Sequence, residues 1–305
     1  MFSRLLLALA AFAWSPAQAL DIRFERVADN VYAYIGDTGP RSVSNEALNA
    51  NIGLIVSPSG AVLIDSGATA RSAERIHEAV RQVTTQPLRW VINTGTQDHR
   101  WLGNGYFRAQ GAELIAHKNG LADMRSRGGE QLTVLRSLLG DAMAGTEPVL
   151  PTRVIDGEVT RLELGGTILE LHHRGGGHTP GDTMVWLPQQ RVLFTGDIVY
   201  VDRLLAVLPI SSTRQWLASL QEVETLKPLH VVPGHGRVTD VAKALEQTQE
   251  YLKALRAHAR RAVDQGVDPS TAARTFDGRR WEALVNAAEL MPGNTSRVYL
   301  EVELE

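Results

Sequence analysis

The spacing of hydrophobic positions predicts the order of strands and helices in the first half of the chain. Apolar and polar residues alternate over residues 21–37, which predicts a hairpin. Short apolar runs then predict strands at 52–56, 61–64 and 88–92, and helical spacing over 69–83 predicts a helix between the last two strands. Strands and helices therefore alternate along this half.

Strands and helices continue to alternate up to about residue 152, beyond which the sequence predicts antiparallel strands. A strand is predicted at 112–116, followed by helical patterns at 118–127 and 131–139. Beyond them the sequence predicts hairpins at 161–171 and 184–194, a helix at 212–226 and a strand at 229–232. Helices at 241–262 and 280–290 and a closing strand at 297–303 complete the prediction. Because no repeat or linker interrupts the pattern, we expect one domain of two similar halves.

The N-terminal residues have the pattern of a secretory signal. Arg4 supplies the positive start, residues 5–14 the apolar stretch and Ala17–Ala19 the small-residue cleavage site. We therefore expect residues 1–19 to be a signal peptide and residues 20–305 to form the mature domain, located in a bacterial periplasm. No later apolar stretch approaches the roughly 20 residues of a membrane helix, so we expect no integral membrane segment after cleavage.

Composition limits the kind of partner and the kind of metal ligand. The net charge is -3, from 31 basic and 34 acidic residues, so nothing indicates a nucleic-acid groove, and a small-molecule substrate is expected. The chain has no cysteine. Any metal must therefore be bound by histidine nitrogen and carboxylate oxygen.

Three potential ligands follow apolar or glycine-rich segments in similar settings. His178 lies between a run of three glycines and Pro180-Gly181, Asp197 follows a predicted strand and Gly196, and His235 lies between two glycines. Because buried strands that end at the same edge bring their following residues together, we expect these side chains to converge. The sequence therefore predicts a metal site at one edge of a sheet.

Five segments in a fixed order resemble the metallo-β-lactamase-fold hydrolases. They are residues 62–67 (VLIDSG), 91–94 (VINT), 177–181 (GHTPG), 193–197 (LFTGD) and 233–236 (PGHG). The resemblance implies an α/β (α+β) fold, a four-layer αββα sandwich. Residues 294–303 are similar to the exported members associated with quinoprotein and sulfur-oxidation systems, which implies a link to such a periplasmic system.

The family's first ligand cluster, His-x-His-x-Asp-His, is not intact in this chain, which has GTQDHR at residues 95–100. Without gaps, the four ligand positions become Gly95, Gln97, His99 and Arg100. With two compensating shifts of one residue, Asp98-His99 replaces the terminal Asp-His pair instead. Both leading histidines are absent in either register, and the ungapped one needs fewer assumptions.

The resemblance also implies which ligands remain. His99, His178, Asp197, His235 and Asp98 could hold one zinc ion, with iron as the alternative, and an open position for water. In the ungapped register, the permanent charge of Arg100 would repel a second cation or bind an anionic substrate group.

The expected chemistry is acyl hydrolysis of an ester, thioester, lactone or amide by a metal-bound hydroxide. Asp197 or Asp98 would orient the water and carry its proton, and Arg100 or Arg203 would support the developing negative charge. The alternative is a catalytically degenerate protein of the same fold that binds a small molecule or a partner, because fold alone does not fix function. β-Lactamase activity is a third hypothesis, although no motif identifies a lactam pocket.

Overall fold

The computed structural model describes residues 20–305, so the proposed signal peptide at 1–19 lies outside the described residues. Two sheets pack face to face. The first has seven strands in chain order: β1 (Glu25–Ala28), β2 (Val31–Tyr34), β3 (Ile52–Ser57), β4 (Gly60–Ile64), β5 (Leu88–Ile92), β6 (Glu113–His117) and β7 (Arg153–Ile155). Its β1 to β4 pair antiparallel and its β4 to β7 pair parallel.

The second sheet has five strands: β8 (Val159–Leu164), β9 (Thr167–His172), β10 (Met184–Leu187), β11 (Val192–Tyr200) and β12 (His230–His235). β8 to β11 pair antiparallel, whereas β12 pairs parallel with β11. The helices are α1 (Ala70–Val83), α2 (Asp98–Trp101), α3 (Asn104–Ala109), α4 (Lys118–Leu139), α5 (Thr213–Leu226), α6 (Val241–Ala244), α7 (Glu250–Asp264), α8 (Pro269–Thr275) and α9 (Ala287–Glu303). A π-helical stretch, Leu245–Gln249, joins α6 to α7.

The period of two along each strand divides its side chains between an inner and an outer core. In β4, Val62 and Ile64 enter the core between the sheets, whereas Leu63 packs with the helices outside. In β11, Phe194 faces the inner core and Leu193 the outer core of the second sheet. The result is the expected four-layer αββα sandwich. Among residues 20–305, no helix is both long and apolar enough to cross a membrane.

The C-terminal segment corrects two sequence predictions. Residues 297–303, predicted as a strand, belong to α9. Of residues 280–290, predicted as a helix, only 287–290 belong to α9, and a 3-10 turn lies before it at Arg279–Trp281. Val298 and Val302 are buried as the alternation suggested, but Tyr299 is buried too, and Leu300 is 50% exposed. That pattern has a helical period, because α9 places one face against α7 and α8.

A smaller difference concerns the two helical patterns at 118–127 and 131–139. They form one continuous helix, α4, through Gly128 and Gly129. The Cβ of an alanine at position 128 would lie 2.8 Å from the Trp101 ring, so the glycine allows close packing of α4 on that side chain.

Candidate metal centre

The candidate ligands lie at one end of the sandwich, where strands of both sheets terminate. His99 and Arg100 are in α2, which follows β5, and His235 ends β12. Asp197 lies within β11 at an irregularity in its pairing with β12. Gly196 has φ +51, and a Cβ there would lie 2.4 Å from the Thr94 hydroxyl. Glycine therefore allows the backbone to bend and present Asp197 to the site.

The guanidinium group of Arg100 forms the floor of this site. It donates to both carboxylate oxygens of Asp197, at 2.6 and 3.1 Å, and to Asp65 at 2.9 Å. It also donates to the carbonyl oxygen of Gly234 at 3.1 Å. The side chain is 1% exposed. A Cβ at position 234 would approach Arg100 and Asp197 to 2.6 Å, so glycine leaves room for this ion pair.

The charges in the floor determine which groups stay ionised. Burial alone would raise the pKa of Asp197, but the charge of Arg100 and the neighbouring His235 hold it well below its usual range. Burial alone would lower the pKa of Arg100, but Asp197 and Asp65 raise it instead. Burial raises the pKa of Asp65, against the opposing effect of Arg100 and of two hydrogen bonds from Thr94. Arg100 and Asp197 therefore form a permanent ion pair.

Three ligand groups come together above this floor. One donor atom from each of His99, Asp197 and His235 lies within 4.8 Å of the others, and all three side chains are buried. Nε2 of His99 lies 3.7 Å from Asp197, and neither ring nitrogen of His99 has a hydrogen-bond partner. Two imidazoles and a carboxylate are a donor set that suits zinc or ferrous iron.

The contact between His235 and Asp197 indicates that a positive charge belongs between them. Nδ1 of His235 lies 2.8 Å from the Asn49 carbonyl, which can only accept, so this nitrogen carries the proton. Burial lowers the pKa of His235 to about 3, so at neutral pH Nε2 is a bare acceptor. It faces the Asp197 carboxylate oxygen at 3.2 Å. Two acceptor atoms at that distance repel each other unless a cation or a proton bridges them.

His178 lies in the same pocket but bonds to Gln97 instead of joining the three ligands. Its Nδ1 donates to the Ala206 carbonyl at 2.9 Å, and its Nε2 faces the amide oxygen Oε1 of Gln97 at 2.8 Å. Burial lowers the pKa of His178 to about 4, so the ring is neutral and Nε2 must accept. Gln97 satisfies it with its NH₂ group after a half turn of the amide. Gly95, two residues before Gln97, has no side chain and therefore supplies no ligand atom.

Asp98 lies between Arg41 and His99 and does not join the three ligands. It forms an ion pair with Arg41, and Oδ1 lies 3.3 Å from Nδ1 of His99 without hydrogen-bond alignment. Burial alone would raise its pKa, but His99 and Arg41 lower it to about 2. An ionised carboxylate beside Nδ1 leaves Nε2 of His99 directed at Asp197, the arrangement in which a carboxylate orients a metal-binding histidine.

Arg41, Tyr200 and Arg203 complete a cavity of about 230 Å³ above the three ligands. Tyr200 stacks on the His235 ring at a centroid distance of 4.8 Å. Sequence reasoning did not assign Arg41 any role, and no local signal could have done so, because Arg41 meets Asp98 only through a contact across 57 positions.

Comparisons with known proteins identify the family of the chain. Residues 45–235 match the family model described as the metallo-beta-lactamase superfamily. A metallo-beta-lactamase type 2 from Bacillus sp. (strain 170) is 28% identical over 216 residues, which cover 69% of this chain and 75% of that protein. The corresponding enzyme of Bacteroides fragilis is 24% identical over 71% of this chain and 80% of its own length.

Solved structures show the same fold. A metallo-beta-lactamase from Pontibacter korlensis superposes with a TM-score of 0.62 at 22% identity, covering 76% of this chain and 99% of its own. A double mutant of the sec-alkyl sulfatase PisA1 superposes with a TM-score of 0.69 at 19% identity, covering 91% of this chain and 50% of its own. The second match extends over more of the chain.

Proposed function

Because the chain belongs to the metallo-beta-lactamase superfamily, we propose that it is a hydrolase with a one-metal centre that cleaves an acyl bond of a small molecule. The ligands are His99, Asp197 and His235, and the metal is zinc, with iron as the alternative. The ester, thioester, lactone and amide groups are the candidate bonds. A bound divalent ion supplies Lewis-acid activation of water and of a carbonyl oxygen.

The contact that carries this proposal is the one between Nε2 of His235 and Asp197. The two acceptor atoms lie 3.2 Å apart in a buried site, and a cation beside them removes their repulsion. The unpartnered nitrogens of His99 lie in the same cluster, and a buried nitrogen without a partner costs free energy that a metal bond would offset.

The protein's own residues prepare the ligands. The Asn49 carbonyl fixes the tautomer of His235, and a carboxylate oxygen of Asp98 lies 3.3 Å from Nδ1 of His99. Arg100 keeps Asp197 ionised and holds both of its oxygens in place. Two carboxylates, Asp65 and Asp197, bond to the single guanidinium of Arg100, so a cation bound beside Asp197 does not add to an excess of positive charge.

The identities of residues 97 and 95, Gln97 and Gly95, favour a one-metal centre over a two-metal centre. Gln97 bonds the nitrogen that His178 would need for a second metal, and Gly95 supplies no donor. Arg100 lies in the floor and Asp98 is paired with Arg41, which favours the ungapped register, with Gly95, Gln97, His99 and Arg100 at the family's ligand positions. A single ion leaves the negative charge that develops on the leaving group without a second metal to stabilise it. Acyl hydrolysis depends less on that stabilisation than phosphodiester cleavage does.

The test is the metal content of the purified mature protein. We expect about one equivalent of zinc or iron per chain in the wild type, and loss of both metal and ester hydrolysis in His235→Ala. His230→Ala is the matched control, because His230 begins the same strand and is exposed. A wild-type protein that stays free of metal when dialysed against micromolar zinc would refute the proposal.

One observation favours the alternative, a binding protein without turnover. Arg100 engages both oxygens of Asp197, which weakens that carboxylate as a metal ligand. In that case the cavity would still bind a small molecule, and the bound metal would be absent. The metal measurement therefore separates the two functions.

We also infer that the protein is exported to the periplasm and that it acts there together with a quinoprotein or sulfur-oxidation system. The support is the signal pattern of residues 1–19 together with residues 294–303. N-terminal sequencing of the protein from a periplasmic extract should begin near Leu20. A mature chain that retains Met1 in the cytoplasm would contradict the inference.

A further inference from the structure

The backbone of residues 205–207, which follow β11, is buried although no strand pairs with it. Leu205 is 1% exposed and Val207 is 2% exposed, and within residues 20–305 these positions belong to neither sheet. Buried backbone N–H and C=O groups need hydrogen-bond partners, and here no ladder supplies them. Side chains from other parts of the chain must therefore hold this segment.

Asn294, in α9, supplies two of these partners. Its side chain is fully buried. Oδ1 accepts from the backbone N–H of Val207 at 2.8 Å, and Nδ2 donates to the carbonyl oxygen of Leu205 at 2.8 Å and to the hydroxyl of Tyr251 at 3.1 Å. Because the N–H can only donate and the carbonyl can only accept, a single orientation of the amide satisfies both. The amide therefore takes the place of a neighbouring strand.

The peptide group that Asn294 holds at one end is held by His178 at the other. The Val207 N–H and the Ala206 carbonyl belong to the same planar trans peptide, in which they point in opposite directions. Nδ1 of His178 donates to this carbonyl at 2.9 Å. A rotation of the peptide plane would break both hydrogen bonds, and bonds in such a chain polarise and strengthen each other. The position of the His178 ring therefore depends on Asn294.

The His178 ring forms part of the wall of the cavity above the proposed ligands. His178 and Ala206 are among the residues that line the described cavity, and Asn294 is not one of them. The ring packs edge-on against Trp216 at a centroid distance of 5.4 Å. If the Ala206 carbonyl moved, the Nδ1 proton would lose its acceptor in a buried place, and the ring would turn or shift to find another. The shape of the cavity wall would change with it.

We propose that Asn294 is a positioning residue of the active site, which fixes the Ala206–Val207 peptide and, through that peptide, the His178 ring in the cavity wall. The expected effect on turnover rests on the proposed function, because it concerns the same cavity. The hydrogen bonds of Asn294 go to residues 205 and 207 and to Tyr251, and not to the three metal ligands. Loss of its amide should therefore change the binding of substrate and leave the binding of metal unchanged.

The first experiment observes His178 directly and needs no turnover. The mature protein, with ¹⁵N-labelled histidine and dialysed against zinc, is studied by ¹H–¹⁵N NMR, which shows which ring nitrogen carries the proton. The signals that are lost in His178→Gln belong to His178. We expect the wild-type ring to be protonated on Nδ1. In Asn294→Ala the ring should populate both neutral tautomers, and its ring proton should exchange with water about tenfold faster, because the peptide is no longer held.

Tyr251→Phe is the matched control for this experiment. It removes the third hydrogen bond of the same amide and leaves the two bonds to residues 205 and 207, so its His178 signals should equal those of the wild type. Unchanged His178 signals in Asn294→Ala would overturn the inference. If Asn294→Ala does not fold, the wild type still decides, because a ring protonated on Nε2, or a Val207 amide that exchanges as fast as those of exposed loops, would contradict the chain of hydrogen bonds.

The second experiment separates positioning from a loss of folded protein. With zinc-loaded protein and p-nitrophenyl butyrate as substrate, Asn294→Ala should raise KM about tenfold while kcat stays within about twofold of the wild-type value. Destabilisation alone lowers the fraction of folded enzyme, which lowers the apparent kcat and leaves KM unchanged. The zinc content should stay that of the wild type. Asn294→Asp keeps an acceptor for the Val207 N–H and should recover most of the change in KM, and Tyr251→Phe should have the wild-type KM.

The two proposals fail in different ways. If the ester is not hydrolysed but the tautomer of His178 depends on Asn294, the proposed function fails and the positioning of the ring by Asn294 stands. If the ester is hydrolysed and Asn294→Ala has the KM of the wild type, the hydrolase stands and the inference is refuted, whatever the NMR signals show.

Discussion

A single buried guanidinium connects the two halves of the site. Arg100 comes from α2 beside the first sheet, Asp65 from the end of β4, and Asp197 from the second sheet. Ion pairs of this kind contribute little net stability compared with an apolar core, but removal of one partner leaves a buried charge uncompensated. Arg100 therefore matters as a positioning residue for Asp197 and for the fold around it.

Arg100→Met should lower the free energy of unfolding of the metal-free protein by about 3–5 kcal/mol, because Asp65 and Asp197 lose their shared cation. Urea denaturation followed by circular dichroism measures this change. Arg279→Met removes an ion pair to Asp277 that is exposed to solvent, and it should leave the urea midpoint unchanged. If the two variants had similar urea midpoints, Arg100 would not be needed to compensate the charges of Asp65 and Asp197.

At the scale of the element, α9 shows how a strand pattern can belong to a helix. Val298→Ala should destabilise the protein by about 1.5–3 kcal/mol, because Val298 is fully buried in the outer core. Leu300→Ala should change the free energy of unfolding by no more than about 0.5 kcal/mol, because that side chain is half exposed. In a strand, residues 298 and 300 would share one face and the two substitutions would have similar effects.

The start of α4 contains a histidine whose titration should affect stability. The His117 side chain accepts a hydrogen bond from the Asn119 backbone as the N-cap and stacks on His173 at a centroid distance of 3.7 Å. Burial and the neighbouring His173 lower the pKa of His117 from 6.5 to about 4. Between those pH values the unfolded chain binds a proton that the folded chain does not. The contribution of this group to stability is thus complete above pH 6.5 and is lost as the pH falls toward 4.

His117→Asn should flatten the decline in stability between pH 6.5 and 4, because asparagine keeps an N-cap acceptor but does not titrate. Urea midpoints of the two proteins across this range measure the difference. The comparison cancels other titrating groups, among them Asp182, whose pKa burial raises to about 8. Parallel pH profiles for wild type and variant would exclude His117 as the titrating group.

For the whole molecule, the proposed ligands span the two halves of the sandwich. His99 follows a strand of the first sheet, whereas Asp197 and His235 belong to the second. Metal binding should therefore stabilise the packing of one half on the other. At a free zinc concentration a hundredfold above Kd, the gain is about 2.7 kcal/mol.

Removal of zinc with a chelator should lower the Tm of the wild type, and added zinc should restore it. The Tm of His235→Ala should not respond to zinc, while His230→Ala should behave as the wild type does. Differential scanning calorimetry gives both values. A wild-type Tm that does not change with zinc would argue for the binding protein without metal.

The sequence alone determined the layered architecture and the neighbourhood of the site. Period-two apolar runs fix which face of a strand is buried, and glycine before Asp197 and on both sides of His235 marks the places where backbone approaches closely. These are local properties, because each depends on a few neighbouring residues. The resemblance of the five segments, in their order, to the metallo-beta-lactamase superfamily then predicted the fold.

Only the tertiary structure decided how the polar side chains pair. Arg100 with Asp197, Gln97 with His178 and Asp98 with Arg41 are contacts between residues 97, 81 and 57 positions apart. No periodicity encodes such pairs, because each depends on the packing of separate elements in a buried space. The helix α9 has the same origin, since its buried face is defined by α7 and α8 instead of by its own alternation. Local pattern sets where residues can lie, and long-range packing determines which of them meet.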